Sequence, residues 1–367
     1  MFFKLLFTRL IMCSIFQSTC AFAISQTVST KEHSTTKLAE SVYLIRHADA
    51  PDEFPQGNTI VIIGSNSVLV VDACYLPSSA RNDITQIKKW TNKPVRYLVN
   101  THYHLDHTNG NAIYKDAFPG LSIIGREDTR KLITNQNTKT IQRTRERYQW
   151  LKKQFELDKD TSGKSLTVEQ KKALENELIA LKPVYEEFEN LDVVSSNLIM
   201  ENNLNLDLGD RSIEIKYLGR GNTISDLVIV LPKEKIIVTG DLLVYPVPYA
   251  YLGYPSEWVS TLKRISQMDV SIIVPGHGEA LKDKTYLNDL IELLQIVVTR
   301  VEQEIDNRGH TSRFPRIIEA IEAVERSIDW TKWRQKWCRG IKENEDFFDD
   351  SIRGGLLRAA FAELEAR

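Results

Sequence analysis

The chain has 367 residues, 42% hydrophobic and 26% charged, a globular balance that excludes wholesale disorder, collagen-like repeats and a multi-span membrane protein. Lys and Arg total 47 against 49 Asp and Glu, a net charge of −2, which gives no footprint for nucleic acid or an anionic membrane surface. Four cysteines are too few for a disulfide-built scaffold.

Lys4 and Arg9 precede an apolar run over residues 10–16 and the triplet Ala21-Phe22-Ala23. This pattern predicts a signal peptide over residues 1–23 and a periplasmic or secreted protein, with an uncleaved anchor as the alternative. No later stretch approaches the ~20 apolar residues that cross a bilayer, so no membrane span is expected after cleavage. The remaining chain is more acidic and keeps Cys74 and Cys338, for which one disulfide and two buried thiols are both open. Residues 24–40 are polar and Ser/Thr-rich, and are read as a linker.

Runs rich in Val and Ile predict strands at 41–46, 59–63 and 67–71. Residues 48–57 between them are a flap or a plain connection. A helix is predicted at 81–90, and strands at 95–99 and 121–124. Residues 128–157 and 168–191 are charge-rich with helical apolar spacing. Leu174, Leu178 and Leu181 share a face, and Thr167 with Gln170 fits a capping box. These features predict a helical insertion at about 127–200, equally a lid or a solvated arm. Strands resume at 204–208, 212–218, 227–231 and 235–238. A helix at 256–267 with Ser256 as N-cap, a strand at 271–274 and a helix at 286–305 follow. Residues 309–367 carry only helical patterns and are read as a C-terminal helical extension. There Trp330, Trp333 and Trp337 make one aromatic face, either core or a contact through which the chain forms an oligomer. Strands mixed with helices throughout predict an α/β fold with helices covering the sheets.

The chemistry-bearing motif is His102-Tyr103-His104-Leu105-Asp106-His107, which holds three of the seven histidines. Alternation places His102 and His104 on one side of an extended segment, with Asp106 and His107 where the chain turns into a helix. Imidazole and carboxylate together suit zinc and similar divalent metals.

With this His-x-His-x-Asp-His signature the sequence resembles the metallo-β-lactamase superfamily over about residues 41–305, the insertion apart. Asp72, Asp241 in Thr239-Gly240-Asp241, and His277 in Pro275-Gly276-His277-Gly278 follow in the family's order. The resemblance implies an αβ/βα four-layer sandwich over about residues 41–308, with metals at one edge of the two sheets. It implies a first site of His102 and His104 and a second of Asp106, His107 and His277. Asp241 would bridge them, and Asp72 would orient a ligand histidine. One position departs: Gly219-Arg220-Gly221-Asn222-Thr223 puts Asn222 where a histidine is usual. His33, His47 and His310 cannot be assigned as its substitute, so Asn222 or water completes the first site. A neutral amide oxygen is a weaker zinc ligand than imidazole.

The implied activity is hydrolysis of an ester, thioester, lactone or amide small molecule. The cofactor is one or two zinc ions, with manganese or iron as alternatives. Such an ion lowers the pKa of bound water to about 7, and Asp106 would both ligate and orient this nucleophile. A true β-lactamase is one competing reading. A catalytically degenerate metal- or ligand-binding protein is another. Residues 245–254 form a tyrosine-rich loop directly after Asp241, in which Tyr249 and Tyr251 would line a substrate pocket or merely pack.

Overall fold

A computed structural model describes residues 33–308 and 316–367. The expected signal peptide, most of the expected linker and His310 lie outside the described residues.

Two sheets face each other. The first has seven strands in the order β1–β7: Ser34–Ala39, Val42–Arg46, Thr59–Ile63, Val68–Val71, Val95–Val99, Ser122–Gly125 and Leu198–Ile199. The first four run antiparallel and the last four parallel. The second sheet has the order β12-β11-β10-β9-β8, with β8 Asn203–Asp207, β9 Ser212–Tyr217, β10 Leu227–Leu231, β11 Ile236–Val244 and β12 Ile272–His277. Only β11 and β12 run parallel in it.

Strands β3, β4, β10 and β11 are buried at every residue, because both faces of each sheet are covered. Alternate residues therefore serve different cores. Leu44, Ile60, Ile62, Leu69 and Val71 meet Ile213, Ile215, Ile229 and Val238 between the sheets. Val61, Val70, Leu98 and Ile123 face α1 (Pro77–Trp90) through Ala80, Ile84 and Ile87 on the outer side. Val228, Val230, Ile237 and Ile273 pack outward on the helices that follow β11. The result is the expected αβ/βα four-layer sandwich.

Two strands escape sequence patterning. Ser34–Ala39, in the stretch read as linker, is an edge strand paired with β2; its polar composition suits an edge with one open side. Leu198–Ile199, read as the end of the insertion, pairs with β6, and two residues carry no periodicity. β11 also runs on to Val244, through Asp241, rather than ending near 238. Ser256 is not the N-cap of its helix: Tyr254 caps Pro255–Ser266, with Pro255 at the first turn. The Ser256 amide and hydroxyl instead donate to Glu363.

Between β6 and β7 lie a short helix Glu127–Leu132, a π-helical turn Ile133–Asn137, and the antiparallel pair Thr138–Leu157 and Val168–Phe188. The capping box is formed by Thr167 and Gln170. The base of this hairpin docks on the body. Ile141, Leu151, Leu181, Val184 and Phe188 share a core with Ala50 and Tyr75, and Phe54 stacks on Tyr75. Ser78 at the start of α1 donates twice to Glu187. The distal part stands in solvent, with Val168 80% and Ile179 66% exposed.

The C-terminal helices close the second outer layer. Trp330, Trp333 and Trp337 are buried with Leu287, Leu294, Phe348 and Phe361, so the aromatic face is core within the chain. Cys74 and Cys338 are separate buried thiols. Among the described residues no helix is long and apolar enough to cross a membrane.

Candidate metal centre

The strand ends that meet at one edge of the sandwich carry the donors. Asp72 follows β4, His102 and His104 follow β5, Asp241 lies within β11 and His277 ends β12. The motif loop is tied to the second sheet where the Leu227 amide donates to the Thr101 carbonyl at 2.8 Å. Leu105–Thr108 makes one helical turn, which swings Asp106 and His107 inward.

Two donor groups result: Asp106, His107, Asp241 and His277 in one, His102, His104 and Asp241 in the other, with ligand atoms within 4.8 Å inside each group. His107 Nε2 and His277 Nε2 face each other at 3.2 Å. His277 Nε2 is 2.9 Å from Asp106 Oδ2, and His107 Nε2 is 3.2 Å from Asp241 Oδ1. On the other side His102 Nε2 is 2.9 Å from His104 Nδ1 and 3.6 Å from Asp241 Oδ2. Asp241 thus presents one oxygen to each group.

Asp72 stands behind His107. Its Oδ2 receives His107 Nδ1 at 2.9 Å and the Thr101 hydroxyl at 2.7 Å, and its Oδ1 receives the Thr101 amide at 2.8 Å. That bond fixes the tautomer that turns Nε2 of His107 to the centre. Asn58 pins the His277 loop through bonds to the carbonyls of Pro275, Gly276 and Gly278. Asn137, from the π-helical turn, donates to the Tyr103 carbonyl at 2.7 Å and to the Thr108 hydroxyl. A β-carbon on Gly276 would fall on Asp241 Oδ1, so only glycine lets β12 approach β11 here. Sequence reasoning missed Thr101, Asn58 and Asn137. Thr101 adjoins the motif, but no local pattern marks the other two.

Asn222 is buried. Its Nδ2 donates to the Tyr249 carbonyl at 2.7 Å, and its Oδ1 has no partner. Asp226 holds this turn by accepting the Thr223 amide and hydroxyl, both at 2.8 Å. Tyr249 reaches the rim, its ring 5.9 Å from that of His104. Tyr251 turns away: its hydroxyl donates to Asp350 at 2.6 Å and its ring faces Phe347. The Ser351 hydroxyl bonds the carbonyl of Pro248 and the amide of Ala250, so the C-terminal extension braces the tyrosine loop.

The electrostatics are those of a cation site. Burial alone would lower His107, and the carboxylates of Asp241, Asp106 and Asp72 outweigh it, raising it well above its ordinary value. Burial, with His107 alongside, pushes His102 well below its own. Asp106 and Asp241 are buried, which opposes charge, yet the neighbouring histidines hold both well below the carboxylate range. The groups act as one another's counterions, a task that a divalent cation performs at full charge. Asp241 Oδ1 has no well-aligned hydrogen bond, and two imidazole nitrogens face each other at 3.2 Å, an arrangement that lone pairs on one cation suit better than two N–H groups. The nitrogen and oxygen donors therefore fit a divalent metal.

A double sheet between helical layers, with imidazole and carboxylate donors gathered at one edge, defines the class. The chain belongs to the metallo-beta-lactamase superfamily, whose family model matches residues 52–277. It is 31% identical over 98 residues to a metallo-beta-lactamase type 2 of Bacillus cereus, spanning 25% of this chain and 38% of that protein. It is 26% identical over 100 residues to the protein of that name from Elizabethkingia meningoseptica, spanning 26% and 40%. The chain thus matches well under half the length of these relatives. Its fold is similar to that of a metallo-beta-lactamase from Pontibacter korlensis, with a TM-score of 0.50 and 17% identity over 72% of this chain and 99% of that one.

Proposed function

We propose that this chain is an exported, metal-dependent hydrolase of ester, thioester, lactone or amide bonds, with zinc as the metal. The observation that carries the reading is Asp241, whose two oxygens face the His102/His104 group and the Asp106/His107/His277 group. Export rests on the N-terminal pattern over residues 1–23. The hydrolase domain runs to about residue 308, and a helical extension follows.

A divalent ion bound here supplies a Lewis acid and lowers the pKa of coordinated water to about 7. The chain's own groups do the rest. His102, His104 and Asp241 would hold one position, which the unpartnered Asn222 Oδ1 or water would complete. Asp106, His107, His277 and Asp241 hold the other. Asp72 keeps His107 in its ligating tautomer. Asp106, whose Oδ2 meets His277 and His107, uses its other oxygen to orient the attacking water, take its proton and return it to the leaving group. The acidic mature chain disfavours nucleic acid as substrate.

A second reading, a true β-lactamase, is favoured by the names of the curated relatives. One experiment tests both. Chelator-stripped and zinc-restored protein is assayed against ester, lactone, thioester and β-lactam panels. Zinc-dependent turnover of an ester, lactone or thioester well above that of any β-lactam supports the first reading. The reverse order supports the second. No turnover of any member with zinc restored leaves only the binding-protein reading.

A further inference from the structure

Beneath the metal centre, on the outer face of the first sheet, four buried side chains from separate segments meet. They are His47 after β2, Cys74 after β4, Asp83 in α1, and Tyr114 in the helix Asn111–Ala117. All four are at most 2% exposed, and none belongs to the centre described above. Ligand atoms of His47, Cys74 and Asp83 lie within 4.8 Å of one another. His47 Nε2 is 3.0 Å from each carboxylate oxygen of Asp83.

Those donors are near enough to close on one ion. Bonds of ~2.0–2.3 Å in a tetrahedron set donor atoms about 3.3–3.8 Å apart. The main centre shows spacing like that of His47 and Asp83, 2.9 Å for His277 to Asp106 and 3.2 Å for His107 to Asp241. His47 Nδ1 lies 2.8 Å from the Gly57 carbonyl, the outer hydrogen bond that fixes Nε2 as the ligating nitrogen of a metal-bound imidazole.

An ion pair of His47 with Asp83 accounts for only half of the cluster. The hydroxyl of Tyr114 is fully buried beside the Asp83 carboxylate and the Cys74 thiol, and makes no well-aligned hydrogen bond. A buried hydroxyl whose hydrogen bond is poorly aligned is costly, and an ion shared with Asp83 would give its oxygen a partner. The Cys74 sulfur has only a long contact, 3.7 Å, to the Leu76 carbonyl.

We propose that His47 Nε2, Cys74 Sγ and an Asp83 oxygen, with the Tyr114 hydroxyl in the fourth position, form a structural site for a thiophilic divalent ion of the zinc class. Nitrogen, sulfur and oxygen donors on fully buried side chains suit zinc. Binding deprotonates the thiol and releases that proton to solvent. The ion would join the 48–57 connection, the end of β4 and α1 directly under the second-group ligands. The Gly57 amide donates to the Asp106 carbonyl at 3.1 Å, and the Ala73 amide to the His107 carbonyl at 2.9 Å.

Cobalt(II) titration of the chelator-stripped full chain separates the two centres, because the main one contains no sulfur donor. The expected result is a near-ultraviolet thiolate-to-cobalt charge-transfer band. Cys74→Ala removes this band and one equivalent of bound metal, and Cys338→Ala keeps both. Asp83→Asn weakens the binding that gives the band about tenfold or more, and this variant decides the matter should Cys74→Ala not fold. Saturation of the visible cobalt bands with no thiolate band would overturn the proposal. So would a band that survives Cys74→Ala, or one whose cobalt affinity is unchanged in Asp83→Asn.

Discussion

Asn222 bears on how evenly the two donor groups would hold metal. Its amide nitrogen donates to the Tyr249 carbonyl and its oxygen has no hydrogen-bond partner, so the position where the family usually has imidazole carries a neutral side chain. Counted in Cys74→Ala, which leaves only the main centre, the protein should hold closer to one ion than two after dialysis against a mild chelator. Asn222→His should tighten the second equivalent, read by competition with a chromophoric chelator. Unchanged stoichiometry and affinity would mean that residue 222 points away from the ions. Asp226 offers a pH test in the metal-free protein. Burial, against the two Thr223 bonds, raises its pKa from 3.8 to about 7. The folded state therefore holds this proton more tightly than the unfolded chain. The stabilisation is complete below pH 3.8 and is lost as pH rises through about 7, with a slope of at most about 1.4 kcal/mol per pH unit. Denaturant titrations should show that slope in the wild type and not in Asp226→Asn; equal slopes would show that Asp226 titrates normally. The principal donors were legible in the sequence because six consecutive residues hold four of them. Asn58 and Asn137 were not, because only the folded chain carries them to the His277 and Tyr103 loops. His47 lay open to view, but nothing in its neighbourhood announced Asp83 as a partner 36 residues away.

At the level of elements, the strands that are buried on both faces were legible as continuous Val/Ile runs. The edge strand Ser34–Ala39 and the two-residue β7 were not, since a polar edge and a dipeptide give no pattern. The tyrosine loop was located correctly beside Asp241, yet its side chains divide. Tyr249 turns to the His104 ring, whereas Tyr251 is held by Asp350. Tyr249→Ala should raise KM by a factor equivalent to about 1–2 kcal/mol with metal content unchanged. Tyr251→Phe should leave KM unchanged and cost about 1 kcal/mol of stability through the lost bond. Steady-state kinetics and thermal melts on both variants check the division, and the opposite assignment of the two effects would contradict it. The helical hairpin is more than a solvated arm at its base, where Phe188 sits edge-on to Tyr75 at 5.1 Å. Phe188→Ala should cost about 3–5 kcal/mol and lower Tm. An unchanged Tm would mean that the hairpin lends the body no packing energy.

For the molecule as a whole, composition and periodicity reached only an α/β arrangement; the four-layer order came from the resemblance carried by the metal motif. What neither gave was the use of the C-terminal helices. Their tryptophans fill the core over the second sheet, and Ser351 and Asp350 brace the loop beside the metal centre. Fold and site are therefore one packed unit, with the donors held by the edge of both sheets. The central claim is that this donor set holds catalytic metal. His277 tests it, because it ends β12 and is the one donor that this strand supplies. The decisive measurement is paired metal content and turnover on a responsive substrate in wild type and His277→Ala, both reloaded with zinc. The account predicts loss of tightly held metal from this centre together with loss of turnover. Full turnover in metal-loaded His277→Ala would contradict it.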